Sequence, residues 1–247
     1  MQANTTQSEI VAVIPCYNEQ ETIKTVVSKA LEYVHRVIVV DDGSKDQTGE
    51  EALLAGAEVL THPYNQGKGA AVKTAFLHLR ARGCRAAVFL DGDGQHDPTE
   101  IPRVLTPVLA GNADMVVGSR FIEGSYLIPL HRRIGQTVLN VVIYVGSHVW
   151  VSDSQSGFRS FSRYAIGVME FKGKRFSIES EMQFIAARHG LRVAEVPIAT
   201  IYDGRAKRSL LLQGLDVLFG VFRLIFSIND FSNGIGRPEN REVSRLN

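Results

Sequence analysis

Short apolar runs alternate with segments of helical periodicity along most of the chain. Residues 10–14 form an apolar run that Pro15 should end, and residues 19–33 then carry apolar side chains at helical spacing. A β-branched run ends at Asp41 and Asp42 and precedes a second helical segment, "GEEALLAG". Further strands are predicted at "AEVLTH", "AAVFL", "ADMVVGSRF" and "RVAEVPIATIY", and further helices at "GKGAAVKTAFLHLRARG" and "QTVLNVVIYVGSHVW". This alternation predicts an α/β fold with a mainly parallel central sheet.

Polar residues follow three of the predicted strands where each strand ends. They are the segments 15–19, with Asn18 and Glu19, the pair Asp41 and Asp42, and the segment 91–93. Ligands of open parallel sheets bind at the carboxyl ends of the strands. The three loops are therefore expected to converge on one site.

The C-terminal part of the chain reads as a separate amphipathic segment. The nineteen residues from Leu210 to Ile228 are strongly apolar, with a narrow polar stripe at helical spacing made by Gln213, Asp216, Gly220, Arg223 and Ser227. Two charges are unfavourable in a bilayer span, so we expect an interfacial helix over 206–230, led in by basic residues. The alternative is a helix that docks on the protein's own core or on a second copy. Residues 231–247 are predicted to be a disordered tail, which leaves 9–205 as one folded domain.

Composition and charge exclude several classes of protein. Of 247 residues, 45% are apolar and 21% charged, which is typical of a folded domain, and the net charge of +1 gives no general attraction to nucleic acid. The two cysteines, Cys16 and Cys84, lie in apolar surroundings and are expected to be buried thiols in a reducing compartment. The first twenty residues show no secretory signal pattern. These features favour a cytoplasmic location.

The segment "DGDGQ" places two carboxylates and an amide directly after an apolar strand. In extended backbone Asp91 and Asp93 would point the same way, with Gln95 following them. Hard oxygen ligands of this kind suit Mg²⁺ or Mn²⁺, whereas the alternative is an ordinary Asp-Gly turn. An EF-hand loop is disfavoured because its twelfth position would be Pro102.

Two further segments have the composition of ligand-binding loops. Asp41 and Asp42 could accept hydrogen bonds from a base or a ribose, but a helix cap through Asp46 or Thr48 is the alternative. The segment "NQGKGAA" lacks the spacing of a Walker-type phosphate loop, although a helix that begins there could favour an anion.

Taken in order, the motifs "VIPCYNE", "VVDDGSKDQT", "NQGKGAA", "LDGDGQHDP", "VVGSRF" and "SGFRSF" resemble glycosyltransferase family 2. The resemblance is closest to its polyprenyl-phosphate (dolichyl-phosphate) mannosyl- and glucosyltransferases, and it covers roughly residues 9–205. It implies a single nucleotide-sugar-binding domain of the GT-A type, Rossmann-like, that uses a nucleotide-diphosphate sugar and Mg²⁺ or Mn²⁺. It also implies that the enzyme inverts the configuration of the anomeric carbon and that it works at a membrane face.

The resemblance also implies roles for individual residues. The nucleotide site would be formed by Pro15, Tyr17, Asn18, Glu19, Asp42, Lys68 and Asp91. The metal ligands would be Asp91, Asp93 and Gln95, and the catalytic residues would be Asp93, Arg120 and Asp153. The acceptor phosphate would be held by Ser119, Arg132, Arg133 and Arg205. Any one of these arginines could instead be solvated, Asp153 could be a satisfied core carboxylate, and Glu179 and Glu181 stand at matching places without an assigned role.

The predicted reaction is transfer of one hexose from GDP-mannose or UDP-glucose to a polyprenyl phosphate. Transfer of one sugar is favoured over polymerisation because the chain has no Q-x-x-R-W motif. The chain also lacks the two C-terminal transmembrane helices of some relatives, so we expect a peripheral enzyme at the cytoplasmic face of the membrane. The alternatives are a glycan or soluble alcohol as acceptor, and a nucleotide-sugar-binding protein without turnover. The oligomeric state is left open.

Overall fold

A computed structural model describes residues 8–122, 130–171 and 177–199, and the backbone of 244–245, with the side chains of 130–132 not included. These residues contain eight strands and seven α-helices. The strands are β1 (Ile10–Cys16), β2 (Arg36–Asp41), β3 (Glu58–Thr61), β4 (Ala86–Phe89), β5 (Met115–Ser119), β6 (Arg159–Ser162), β7 (Val193–Pro197) and β8 (Ser244–Arg245). The helices are α1 (Ile23–Ala30), α2 (Thr48–Leu54), α3 (Lys68–Arg82), α4 (Ile101–Leu109), α5 (Leu130–Ser147), α6 (Arg163–Val168) and α7 (Ile178–Arg188).

The strands form one sheet in the order β3-β2-β1-β4-β6-β5-β7-β8. All neighbours are parallel except β6, which lies antiparallel between β4 and β5. The predicted α/β fold with a mainly parallel sheet is confirmed. The antiparallel strand β6, from the segment "SGFRSF", was not predicted.

Helices cover both faces of the sheet, which explains why its strands read as continuous apolar runs. On one face α3, α6 and α7 pack over the odd-numbered positions of β1, and the Phe76 ring lies 4.9 Å from the Phe89 ring and 5.1 Å from the Phe161 ring. On the other face α1, α2 and α4 pack over Ala12 and Ile14. The loops that follow β1, β2 and β4 are therefore anchored to a sheet that is buried on both sides.

Strand β1 runs through Pro15, where the sequence predicted its end. Pro15 and Cys16 pair with β2, but the pairing of β1 with β4 ends at Val13. Proline has no N–H to donate, so it is tolerated where a strand has lost its neighbour on one side. The prediction treated Pro15 as a strand breaker and was wrong, because Pro15 is part of β1 and the strand continues to Cys16.

Both cysteine side chains are buried, as predicted. Burial raises the pKa of the Cys84 thiol to about 11 and raises that of Cys16 further. Thiols of this kind are largely protonated at neutral pH and poorly reactive.

Most of the predicted C-terminal segments, including 206–230, lie outside the described residues, as does Arg205. Within the predicted tail, β8 pairs in parallel with β7. Across the part of the chain that is described, no helix combines the length and apolar character that a bilayer crossing requires.

Candidate active site

The loop after β1 and the loop after β2 are hydrogen-bonded into one unit. The Asn18 backbone N–H donates to Ser44 Oγ (3.0 Å), and Asn18 Oδ1 accepts from the Lys45 N–H (2.8 Å). The Glu19 N–H donates to Thr48 Oγ1 (2.8 Å). Asn18 has a left-handed backbone with φ 55°, which asparagine tolerates better than most residues. The loop predicted to line a nucleotide site is thus fixed to the next loop by hydrogen bonds between backbone N–H groups and side-chain oxygens.

The loop after β4 joins the same unit. Thr22 Oγ1 donates to the Gly92 carbonyl oxygen at 2.6 Å. A Cβ atom on Gly92 would lie 3.0 Å from Cys16 Cβ and 3.3 Å from Ile14 Cγ2, so the backbone here packs directly against β1. The predicted convergence of three strand-end loops is confirmed.

The segment "DGDGQ" (residues 91–95, the predicted metal motif) forms a turn and not an extended segment. Asp93 Oδ1 accepts from the Gln95 N–H at 3.0 Å, and Gly94 has a left-handed φ of 76°. The expectation that Asp91 and Asp93 alternate along extended backbone was wrong, because the Asp93 side chain closes an Asx turn on its own loop. The Asp91 N–H donates to His96 Nδ1 (3.1 Å), and burial lowers the pKa of His96, which favours the neutral ring that accepts this bond.

Asp91 shares one cation with a second carboxylate. Lys68 Nζ lies 2.7 Å from Asp91 Oδ1 and 2.9 Å from Glu179 Oε1. Burial opposes ionisation of Asp91, but the Lys68 ammonium outweighs it and lowers the pKa of Asp91 to about 2. Burial likewise opposes the charge on Lys68, yet the two carboxylates raise its pKa, and the pKa of Glu179 is lowered by the same ammonium against its own burial. All three groups are therefore charged at neutral pH.

The absence of a side chain at Gly157 leaves space for the ion pair between Lys68 and Asp91. A Cβ atom at this position would lie 2.9 Å from Lys68 Nζ and 3.0 Å from both carboxylate oxygens of Asp91. The glycine of the segment "SGFR" is thus required by the close approach of its backbone to the ion pair. The sequence motif has a steric explanation here.

The residues of the metal motif suit a hard divalent cation. Asp91, Asp93 and Gln95 offer only oxygen donors, and an ammonium already stands beside Asp91 as a stand-in cation. In the described ranges, no group of three or more His, Cys, Asp and Glu side chains is arranged to bind a metal. Two carboxylates and an amide leave coordination positions for oxygens of water or of a diphosphate.

The carboxylate of Asp42 holds the loop that leads to Lys68. Asp42 Oδ1 accepts from the Gln66 N–H (3.0 Å) and lies 2.6 Å from His62 Nδ1, while Oδ2 accepts from the Gly67 N–H (2.7 Å). Both oxygens are engaged within the chain. The proposed contact of Asp42 with a base or ribose stays a prediction.

Asp46 Oδ1 accepts from the Thr48 N–H at 3.1 Å in the turn that leads into α2, whose N-cap residue is Gln47. Asp41 Oδ1 accepts from the Ser44 N–H at 2.9 Å and shapes the preceding turn. The carboxylates of Asp41, Asp42 and Asp46 therefore stabilise the backbone of the loops in this structure. Pro15 and Tyr17 flank the end of β1, and the Tyr17 side chain is exposed.

Arg120 and Asp153 are brought together. Arg120 Nε and Nη2 donate to the two Asp153 oxygens (2.7 and 2.9 Å), and the Arg120 N–H also donates to Oδ2. The Asp153 side chain is fully buried and that of Arg120 is 29% exposed. Ser119 is buried beside this pair, with its Oγ 2.6 Å from Ser152 Oγ. Asp153 is thus positioned to orient Arg120.

Helix α5 carries an exposed apolar stripe that begins next to Arg133. Ile134, Val138, Val141 and Val145 are exposed by 57, 48, 44 and 62% and recur at helical spacing along one face. Arg133 is itself exposed. The side chain of Arg132 and all of Arg205 lie outside the described residues, so the predicted acceptor-phosphate set is only partly placed.

Two residues of the site were missed from the sequence. Glu179 was left without a role, and Arg159 was taken as part of a motif only. Arg159 is fully buried, donates to the carbonyl oxygens of Ser154, Ser156 and Glu179, and has its pKa lowered to about 10 by burial. The flanking phenylalanines of "GFRSF" were the signal that this arginine lies in a core strand.

Comparison with known proteins identifies a matching family. The family model described as "Glycosyl transferase family 2" matches residues 11–167. A UDP-N-acetylglucosamine–dolichyl-phosphate N-acetylglucosaminyltransferase of Methanococcus voltae is 32% identical, over 89% of this chain and 94% of that protein. An undecaprenyl-phosphate mannosyltransferase of Micrococcus luteus is 30% identical, over 78% of this chain and 83% of that protein.

Among solved structures, the fold is similar to that of glucosyl-3-phosphoglycerate synthase from Mycobacterium tuberculosis, in complex with Mn²⁺, uridine diphosphate and glucosyl-3-phosphoglycerate. The TM-score is 0.64 at 23% identity, and the match covers 95% of this chain and 83% of that one. At this level of identity the likeness establishes the fold.

Proposed function

Since the chain belongs to glycosyltransferase family 2, we propose that it transfers one hexose, with inversion, from a nucleotide-diphosphate sugar to a polyprenyl phosphate. The observation that carries the proposal is the convergence of three strand-end loops on Asp91 and Asp93. This is the edge at which a parallel sheet binds nucleotides. The named relatives differ in their sugar but share a polyprenyl-phosphate acceptor.

On the donor side, the loops that contain Asn18, Glu19 and Asp42 form the nucleotide site, and Asp91, Asp93 and Gln95 hold Mg²⁺ or Mn²⁺. The solved neighbour that was bound to Mn²⁺ and uridine diphosphate supports the metal. A divalent ion in this place would neutralise charge on the diphosphate leaving group. Asp93 would act on the donor sugar-diphosphate through this metal ion. Lys68 lies beside Asp91, at the edge of the proposed metal site.

On the acceptor side, chemistry favours a phosphate. A phosphate monoester has a second pKa near 6, so its oxygen is largely deprotonated at neutral pH and needs no general base. The task of the protein is to hold two anionic groups close together, for which arginine is well suited. Arg120, oriented by Asp153, and Arg133 at the start of α5 would supply this charge together with Ser119, Arg132 and Arg205.

The apolar stripe of α5 supports a lipid acceptor over a soluble one. It begins beside Arg133 and presents four exposed aliphatic side chains to the surroundings. A polyprenyl chain whose phosphate lies near Arg133 would find apolar surface along this helix. We propose that the enzyme works peripherally at the cytoplasmic face of the membrane.

The second candidate is a soluble alcohol or glycan acceptor. The solved neighbour is named for transfer to phosphoglycerate and has no lipid in its name. Such an acceptor carries a hydroxyl that must lose a proton during attack, so its enzyme needs a positioned base. The two candidates therefore differ in their chemistry as well as in their substrate.

A product assay separates these candidates. The purified chain is incubated with radiolabelled GDP-mannose, UDP-glucose or UDP-N-acetylglucosamine and Mn²⁺, and with either a polyprenyl phosphate, the matching neutral polyprenol or phosphoglycerate. We expect label in the lipid fraction only with the phosphate. Equal transfer to the neutral polyprenol, or transfer to phosphoglycerate alone, would contradict the proposal.

A further inference from the structure

Lys68, Asp91 and Glu179 come from three separate elements and meet at one point. Lys68 is the first residue of α3, Asp91 follows β4 closely, and Glu179 lies in the first turn of α7. One ammonium lies within 2.9 Å of both carboxylates. The cluster therefore carries one positive and two negative charges.

The ammonium contacts a carboxylate that a metal would also need. Its contact is with Asp91 Oδ1, and Asp91 is one of the proposed metal ligands. Two cations that share one carboxylate repel each other at short range. A divalent ion that binds Asp91 must therefore weaken or break the contact with Lys68.

Within the protein, Glu179 is the second anionic partner that the Lys68 ammonium has. Gly157 closes one side, because even a Cβ there would lie 2.9 Å from Nζ. The neighbouring cavity is lined by apolar side chains such as Val72 and Phe89, which cannot solvate a charge, and by Arg159, which repels a second cation. Glu179 is buried and accepts from Ser177 Oγ at 2.7 Å, so it is a fixed second partner.

We infer that Lys68 is a built-in counter-ion for Asp91 that a divalent cation replaces, and that Glu179 is the positioning residue that retains Lys68 after the replacement. The inference rests on the metal use in the proposed function. Before the cation binds, Lys68 neutralises a carboxylate that would otherwise lie among other acidic groups. Afterwards Glu179 holds the ammonium beside the diphosphate site, so that positive charge is kept where the anionic donor binds.

The test is Mn²⁺ affinity without turnover, measured by electron paramagnetic resonance of free Mn²⁺, with and without UDP. Lys68→Met removes the competitor, so we expect about tenfold tighter Mn²⁺ binding without UDP, within the range of coupling between contacting charges. Glu179→Gln leaves Lys68 to Asp91 alone, so Mn²⁺ should bind several-fold more weakly. In the double variant, the effect of Glu179→Gln should largely disappear, because its target is gone.

Matched controls use exposed residues of the same charge. Lys73→Met removes a lysine from α3, and Glu50→Gln removes a carboxylate from α2, both at exposed positions. Neither should change Mn²⁺ affinity by more than about twofold, since exposed charges are screened. Thermal unfolding of every variant verifies the fold, and Lys68→Gln serves as the second variant if Lys68→Met does not fold.

The outcomes separate the inference from the proposed function. Equal Mn²⁺ affinity of wild type and Lys68→Met would overturn the counter-ion role while leaving the metal site intact. An equal effect of Glu179→Gln in both backgrounds would show direct action on the metal and overturn its positioning role. Absence of Mn²⁺ binding to the wild type with UDP would overturn the proposed metal use, and the inference with it.

Discussion

The substitution Gly157→Ala provides the sharpest test of the site geometry. The new Cβ would lie 2.9 Å from Lys68 Nζ, whereas ordinary contacts begin at 3.4 Å, so Nζ must move by at least about 0.5 Å (3.4 − 2.9). Both Asp91 oxygens lie at 3.0 Å and must move as well. The atoms that move are the ends of flexible side chains, so the fold should survive.

The expected cost in stability is small and the expected cost in activity is large. An ion pair with a 41% exposed partner contributes about 1 kcal/mol or less, which corresponds to a fall in Tm of no more than about 4 °C. A misplacement of 1 Å at a reacting centre can lower turnover by about 100-fold, so a shift of half that size should lower it by roughly tenfold. We therefore expect kcat/KM for the donor sugar to fall by about one order of magnitude in a nearly unchanged fold.

The matched control is Gly167→Ala in α6, where an added Cβ meets no atom within 4 Å. Alanine should stabilise this helix by about 0.5–1 kcal/mol and leave kcat/KM unchanged. Calorimetry and steady-state kinetics on both variants complete the assay. Wild-type kcat/KM in Gly157→Ala would refute the assignment of the Lys68 and Asp91 pair to the active site.

Four further predictions follow from the described contacts. Asp153→Asn removes the charge from a fully buried carboxylate that binds Arg120, so the free energy of unfolding should fall by about 2 kcal/mol in urea titrations. Unchanged stability with lost activity would instead indicate that Asp153 acts directly in catalysis. The hydrogen bonds of Arg192 lower the pKa of Asp114, so Asp114 stabilises the fold above the ordinary carboxyl pKa of about 3.9, and this contribution is lost as the pH falls from about 5. Wild type should therefore lose more unfolding free energy than Arg192→Ala between pH 6 and pH 3, and parallel curves would contradict this. Excess chelator and Asp93→Ala should each abolish transfer without lowering Tm appreciably, since the Asp93 side chain accepts its hydrogen bond from the Gln95 N–H of its own loop. Full activity in chelator would exclude the metal. The double substitution Val138→Asp and Val145→Asp on α5 should reduce co-sedimentation with anionic vesicles, whereas Leu77→Asp on α3, also at an exposed position, should not; equal loss in both would argue against a lipid-facing stripe.

The convergence of the three loops was predictable because it follows from the parallel sheet alone. Apolar runs that end in Asn18, Asp42 and Asp91 place those residues at one edge whatever the side-chain details are. The shape of the metal motif was not predictable in the same way. Asp93 competes for a backbone N–H of its own loop, and that local bond decides between a turn and an extended segment.

The missed features involve partners far apart in the sequence. Glu179 meets Lys68 only because α7 and α3 pack on the same face of the sheet, which no local pattern reveals. Strand β6 was missed because its buried Arg159 resembles a surface residue in the sequence. Its hydrogen bonds to three carbonyl oxygens make that burial possible.

The antiparallel strand β6 also determines the order in which the sheet can assemble during synthesis. Strands β1 to β4 pair among themselves, so the half of the sheet with the loops after β1, β2 and β4 has its partners once β4 has been made. Among the described strands, β5 pairs with β6 and β7, both of which are synthesised later. A ribosome-bound chain that ends before Arg159 would therefore expose the edges of both β4 and β5. These edges are where a nascent chain of this protein is most open to proteases, to chaperones and to pairing with other chains.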